Sequence, residues 1–212
     1  MQNKQQDIIE ALNWRYAVKV FDSSKKLSTD LLNTILEAGR LSPSSLGMEP
    51  WKFLVIENKE LRQKLFEASK QPKVLDASHL IVITYRTDGE KLIAENLART
   101  AKIQNKNITE LDGYKNMLET SVKGAEESGK FEAWVKAQSY IPLGIMIETA
   151  ALLEVDAGPM EGFNAEMVDE ILDLKSKNLK STSMLALGYR GEDPARVRPK
   201  VRREFSEVIE FI

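Results

Sequence analysis

Ser42-Pro-Ser-Ser-Leu-Gly-Met-Glu-Pro-Trp-Lys-Phe53 runs directly into the apolar stretch Phe53-Leu-Val-Ile56. Upstream, residues 29–41 carry Leu32, Ile35, Leu36 and Ala38 at helical spacing, with Ser28 placed to cap the start. A helix therefore ends, a loop of small hydroxyl residues follows, and a strand begins. Small side chains let a flat ligand approach the backbone, and hydroxyls can hydrogen-bond its rim. Pro50 holds the chain extended just ahead of the strand. The alternative reading is a plain Ser/Pro turn with Trp51 as a core anchor.

Outward from this stretch the pattern alternates irregularly between helix and strand. Residues 5–14 read as a helix with Ile8, Ile9 and Leu12 on one face, and residues 52–57 as a strand. Glu60 to Ser69 reads as a helix, and Pro72 opens a short helical turn ending near Ala77. Residues 79–86 are β-rich without clean alternation, as in a strand buried on both faces. Residues 88–127 are charged and mostly helical, with Gly113 as the expected break. The longest helix candidate spans about 130–154, where Phe131, Trp134, Val135 and Gln138 share a face and Pro142 predicts a kink or a join. A short helix over 165–173, a strand over 181–189 and a charged tail ending in Val208-Ile-Glu-Phe-Ile212 complete the chain. That apolar tail can pack on its own domain or on a second subunit. The whole reads as α+β, a small mixed or antiparallel sheet covered by helices, in a single domain over 1–212.

Composition removes several classes of function. The 212 residues, 42% of them hydrophobic, suffice for a proper core. There is no cysteine, which excludes disulfides, thiolate zinc sites and a cysteine nucleophile, and fits a reducing cytoplasm. A net charge of -2 argues against a general nucleic-acid binder. The N-terminal stretch Met-Gln-Asn-Lys-Gln-Gln-Asp is too polar for a signal peptide. The most apolar segment, Ile141 to Val155, contains Pro142 and Glu148 and is too short to span a bilayer. His79, the only histidine, opens the apolar run Leu80-Ile-Val-Ile83 and reads as structural, so no metal site is expected. No Gly-x-Gly-x-x-Gly fingerprint or phosphate loop occurs, so a nicotinamide cofactor would have to bind without a Rossmann unit.

The Ser42–Trp51 stretch resembles the Ser-Pro-Ser-Ser…Gln-Pro-Trp signature of the FMN-dependent nitroreductase family. Arg15-Tyr-Ala-Val-Lys19-Val-Phe21 is similar to its Arg-x-Ser-x-Lys-x-Phe motif. Lys73-Val-Leu-Asp-Ala-Ser-His79, Phe131-Glu-Ala-Trp134-Val-Lys-Ala-Gln138, Pro159-Met-Glu-Gly162-Phe and Pro199-Lys200-Val-Arg202 resemble later family segments in the same order. The likeness is strongest to oxygen-insensitive NAD(P)H nitroreductases and dihydropteridine reductases. It implies a nitroreductase-like fold, an intertwined homodimer, FMN at the subunit interface and a cytoplasmic protein without membrane or nucleic-acid partners. It also implies ping-pong transfer of hydride from NADH or NADPH through flavin N5 to nitroaromatics, quinones, pteridines or free flavin. Alternatives are reduction of an activated alkene or aldehyde, dehalogenation, or a non-catalytic flavin-binding protein.

The same resemblance assigns roles. Arg15, Lys200 and Arg202 correspond to phosphate ligands, and arginine suits bidentate phosphate contact. From the residues alone, the basic tail of Arg196, Arg198, Lys200, Arg202 and Arg203 reads rather as a solvated face. Tyr16 and Ala17 lie within the first motif. Lys19 and Lys73 correspond to ammonium groups that offset charge on reduced flavin. Pro43, Ser44, Ser45 and Gly47 fall where a flavin-contacting loop is expected, from the partner subunit, and Lys70 falls near the cofactor. Pro159, Met160, Glu161 and Gly162 match the loop along the isoalloxazine edge. No protein group is expected to act as catalytic acid or base, since the flavin carries the chemistry. Tyr114 is a candidate to cover substrate, or a core tyrosine. The chain departs from the family pattern at Ala17, at Leu46-Gly47, at Glu49, at Lys70, and by a short deletion between Ala68 and Lys73.

Overall fold

A computed structural model describes residues 3–212. Met1 and Gln2, which begin the polar N-terminal stretch and the single 1–212 domain of the sequence reading, lie outside the described residues. The helices are α1 (Lys4–Trp14), α2 (Thr29–Arg40), α3 (Lys59–Ser69), α4 (Lys73–Asp76), α5 (Gly89–Gln104), α6 (Asp112–Glu127), α7 (Phe131–Gln138), α8 (Tyr140–Leu152), α9 (Ala165–Ile171) and α10 (Phe205–Val208). The strands are β1 (Trp51–Val55), β2 (His79–Arg86), β3 (Asp156–Met160) and β4 (Leu179–Gly188). They form one antiparallel sheet in the order β1-β2-β4-β3, so β1 and β3 are its two edges. Among the described residues no helix is long and apolar enough to cross a membrane.

The sheet is covered on both faces. Leu80 and Val82 of β2, with Met184 and Ala186 of β4, pack against Leu65, Val74, Val168 and Leu172 of the α3, α4 and α9 layer. Ile81 and Ile83, with Leu185 and Leu187, face Leu32, Ile35, Leu143 and Met146 of α2 and α8. Both faces of β2 are therefore buried, which is why its sequence reads as an apolar run rather than an alternation. A third cluster, around Leu92, Leu97, Leu118, Val122 and Val135, builds the α5–α7 excursion beside Tyr85 and Met48.

Local chemistry sets most boundaries. The Ser28 hydroxyl accepts the Leu31 N–H at 3.3 Å and caps α2, and the Asn58 side chain caps α3 in the same way. Three expectations are corrected. The break in 88–127 falls at Asn105, in the left-handed region (φ 52°), and at Asn107, which builds a capping box. Gly113 is instead an early residue of α6. The candidate helix over 130–154 is two helices joined at Ser139, whose hydroxyl donates to Lys136 O and lies 2.9 Å from Thr182 Oγ1 of β4. Pro142 stands in the first turn of α8, where a missing N–H leaves no helical bond unmade. Finally, Pro159 and Met160 belong to an edge strand, β3, not to a loop. An edge position tolerates Pro159 because its nitrogen need not join the ladder.

Gly158 lets β3 take the N-terminal segment against it. A Cβ there would sit 2.8 Å from the carbonyl oxygen of Val18 and 3.2 Å from Cδ of Lys73. Gly158→Ala should therefore destabilise the protein by about 1–3 kcal/mol, the usual cost of overpacking a site whose neighbour is backbone. Urea denaturation checks this, and wild-type stability in the alanine variant would contradict the packing argument.

Candidate active site

The segment 15–21 is clamped from two sides. The Val18 N–H donates to Ala157 O of β3 at 3.3 Å, and the Gly191 N–H donates to Val20 O at 3.0 Å. The buried Asp193 carboxylate accepts the N–H groups of Lys19 (2.8 Å), Val20 (3.4 Å) and Ala195 (2.8 Å). Burial pushes the Asp193 carboxyl up, but these backbone donors more than offset it and hold it below the ordinary carboxylate value. The Arg190 guanidinium donates to buried Asp156 at 2.7 Å and lies over the rings of Trp14 (4.1 Å) and Tyr16 (4.8 Å). Burial, with the Asp193 carboxylate next, raises the Tyr16 hydroxyl to about 12. Asp193, Asp156 and Arg190 were not anticipated from sequence. Only the Asp193-Pro194 dipeptide, a turn signal, marked the place.

This clamp gathers cations that lack counter-ions. Lys73 is only 2% exposed, and its Nζ donates to Pro159 O at 3.1 Å. Burial, then the Lys19 ammonium, pulls Lys73 down from 10.5 to about 8. Beside α1, burial and then Arg202 lower Arg15, whose buried Nε has no hydrogen-bond partner. Burial, then Arg15 and Arg202, lower Lys200. Among the described residues none of Arg15, Lys19, Lys73, Lys200 or Arg202 has a carboxylate within 4.0 Å. Like charges held together in a partly dry site cost free energy until an anion joins them. The donor set therefore fits a phosphate dianion at Arg15, Lys200 and Arg202, and a second, more diffuse anion at Lys19 and Lys73. Lys200 is also a structural group, because its Nζ donates to Leu12 O (2.7 Å), Asn13 O (2.8 Å) and Arg15 O. Its three donors are filled, so it acts on an anion as a charge behind Arg15 rather than as a free donor.

The hydroxyl loop lies elsewhere, ahead of the other edge strand. Leu46 (φ 57°), Gly47 (φ 62°) and Glu49 (φ 47°) all adopt left-handed backbone. Such strain persists only where the surroundings hold it. The Ser44 hydroxyl accepts the Glu49 N–H, and Gln138 Oε1 accepts the Ser45 N–H, each at 2.8 Å. Buried Asn96 donates to Gly47 O at 2.8 Å, and Glu49 pairs with Arg99 at 3.4 Å. The Tyr114 hydroxyl reaches Leu46 O at 2.9 Å and Asn96 Oδ1 at 3.0 Å. Tyr114 thus holds the loop backbone from α6 through its hydroxyl. Asn96, an unmarked polar residue inside a helix, had no sequence signal.

The sequence-predicted residues therefore fall into two groups. Arg15, Tyr16, Ala17, Lys19, Lys73, Pro159, Met160, Glu161, Gly162, Lys200 and Arg202 lie along the β3 edge and its clamp. Pro43, Ser44, Ser45, Gly47 and Tyr114 lie at the β1 edge, and no hydrogen bond or ion pair among the described residues joins the groups. Lys70 ends α3 in left-handed backbone (φ 53°), exposed and paired with Glu67, while its neighbour Gln71 donates to Gly162 O at 2.9 Å. The Glu161 carboxylate faces the Tyr140 hydroxyl, which burial and then Glu161 raise to about 12. Among the described residues no three His, Cys, Asp or Glu side chains converge to hold a metal.

The Lys73 environment has a measurable consequence. Its folded-state value near 8 lies below the ordinary 10.5, so between those pH values the unfolded chain holds the extra proton. Stability of the ligand-free protein should accordingly rise as pH goes from about 8 to about 10.5. Lys73→Met should flatten that slope and raise stability at pH 7 by about 1–3 kcal/mol. Urea titrations of both proteins at pH 7 and pH 10 check the sign.

Comparison with known proteins fits this arrangement. A profile described as the Nitroreductase family matches residues 12–189, most of the chain. A protein of Staphylococcus haemolyticus, provisionally named an NAD(P)H nitroreductase, is 37% identical over 221 residues covering 100% of both chains. A nitroreductase-like protein from Streptococcus mutans superposes with a TM-score of 0.85 at 20% identity, over 98% of this chain and 99% of that one. A structure from Exiguobacterium sibiricum, provisionally described as a nitroreductase in complex with FMN, superposes with a TM-score of 0.78 at 22% identity, over 97% of each chain. Spanning nearly the whole chain, these likenesses make it a member of the nitroreductase family, with that family's α+β fold.

Proposed function

We propose that this protein is an FMN-dependent NAD(P)H oxidoreductase of the nitroreductase type, working as a homodimer of one domain per chain. The observation that carries the reading is the set of cations without counter-ions along the β3 edge. It offers Arg15, backed by Lys200 and Arg202, to a phosphate, and Lys19 with Lys73 to an electron-rich ring edge. When bound, the flavin would supply two-electron chemistry, accepting hydride from the nicotinamide and passing it to an acceptor. The chain's own part is to bind, orient and tune. Gly158 and the Asp193 clamp set where Lys19 and Lys73 stand, and their ammonium charge favours added negative charge on the cofactor. We assign no general acid or base at this edge, since the flavin would carry the chemistry. A flat, accessible ring would serve nitroaromatics, quinones, pteridines or free flavin as acceptors.

The split between the two edges supports a site completed by a second copy. Helix α1 buries none of its residues, and Ile8, Ile9 and Leu12 are exposed. On α8, Ile141, Gly144 and Leu152 also face outward, so an almost wholly apolar helix lies partly uncovered. Such a helix is ordinarily buried. The tail from Phe205 to Ile212 is exposed as well and makes no core with its own chain. A partner would cover these faces and bring its Pro43–Gly47 loop to the β3 edge.

The visible spectrum of the purified protein tests the whole reading. Flavin bands near 370 and about 450 nm, bleached anaerobically by NADPH or NADH, are expected. A colourless protein that takes up no added FMN would overturn it. Arg15→Ala should weaken FMN binding by about 1.5–3 kcal/mol, the scale of a charge-assisted hydrogen bond. In a potentiometric titration Lys73→Met should lower the two-electron potential by about 30 mV or more, and an unchanged potential would remove Lys73 from the tuning role.

A further inference from the structure

Between α3 and the start of β2 lies a second basic cleft. Its cavity of about 450 Å³ is lined by Lys26, Lys59, Arg62 and His79, with Leu75 as an apolar wall and Glu57 as its one carboxylate. Arg62 is the unusual member. It is only 8% exposed, and its guanidinium donates to Ile56 O (3.0 Å), Ala77 O (2.7 Å) and Ser78 O (3.1 Å). These three bonds engage every guanidinium nitrogen and fix the group in place, leaving two of its five N–H donors without a partner among the described residues. Among the described residues no carboxylate lies within 4.0 Å of Arg62, Lys26 or Lys59. A buried cation is ordinarily paired with an anion.

His79 stands beside it on the cleft wall. The Ser78 hydroxyl oxygen accepts the Leu27 N–H at 2.8 Å and lies 3.0 Å from His79 Nδ1. Burial, then Arg62, and further Lys26, lower His79, while Glu57 opposes them. The cleft thus gathers a fixed guanidinium, an imidazole and two ammonium groups.

We propose that this cleft is a binding site for a small phosphate-bearing molecule, separate from the cofactor site along β3. Phosphate is favoured over carboxylate because planar guanidinium and spread ammonium donors match three terminal oxygens. The cavity exceeds what one orthophosphate fills and lies within the usual range for small-molecule sites. A mononucleotide or a diphosphate matches it better, with Leu75 against the organic part. The proposal does not depend on the flavin reading, since no residue of the cleft belongs to the β3 edge.

The single histidine makes the test specific. The His79 ring C–H resonance of the full-length protein is followed by NMR at constant ionic strength and pH 7, with orthophosphate, pyrophosphate or AMP added. A saturable shift with pyrophosphate or AMP is expected, together with an upward move of the His79 titration midpoint, because a bound anion favours imidazolium. The double variant Lys26→Ala/Lys59→Ala, which leaves Arg62 and the core intact, should weaken that binding about tenfold or more. Saturation by orthophosphate alone as tightly as by AMP would assign the site to free phosphate. A resonance that stays put, shifts equally with chloride, or responds unchanged in the double variant would overturn the proposal. Visible flavin absorbance recorded in the same samples reports the β3 site separately.

Discussion

The close passage of the N-terminal segment over Gly158 is the constraint on which the β3 edge depends. With no Cβ at that position, the Val18 carbonyl can lie against β3 and the Val18 N–H can bond Ala157 O. Asp193 then fastens the other side of the segment through the amides of Lys19 and Val20. Arg15, Lys19 and Phe21 take their places because the backbone between them has little freedom left. Phe21 also packs against Gly188, where a Cβ would meet its ring at 2.8 Å, so a second glycine admits the same segment at its far end.

That geometry is held against electrostatics. Lys73 is buried beside a second lysine, and half-buried Arg15 lies beside Arg202 and Lys200. The ligand-free chain bears the desolvation and like-charge repulsion, offset by apolar burial on both faces of the sheet. An anion bound there would relieve the strain and draw binding free energy from it. The departures from the family pattern are consistent with such a site. Ala17 removes a hydroxyl but no charge, and Leu46 and Gly47 act through left-handed backbone and carbonyls rather than through their side chains. Glu49 is turned to Arg99 of α5, away from any role as an amide-bearing contact.

Some elements were legible because their signals are local. The capped start of α2, the short turn after Pro72 and the doubly buried β2 follow from capping chemistry, proline and apolar composition. Others were misread because tertiary packing decided them. Gly113 is compatible with a break, yet Asn105 and Asn107 make it, since only they can close the carboxyl end of α5 and open the next turn. The strand β3 was hidden by its composition, Asp-Ala-Gly-Pro-Met, which has no strand propensity. It exists because β4 offers an unpaired edge and the segment 15–21 needs a floor.

The same division holds for the site. The sequence by itself determined which residues carry cationic and hydroxyl chemistry, and in what order, because that information lies in residue type and motif spacing. The tertiary structure alone decided their grouping. It set Lys200 against the carboxyl end of α1, turned Tyr114 and Asn96 onto the loop backbone, and placed the hydroxyl loop and the lysines at opposite edges of one sheet. It also decided which charges lack partners, since a counter-ion is a matter of distance in space and burial, and neither is written in the order of residues along the chain.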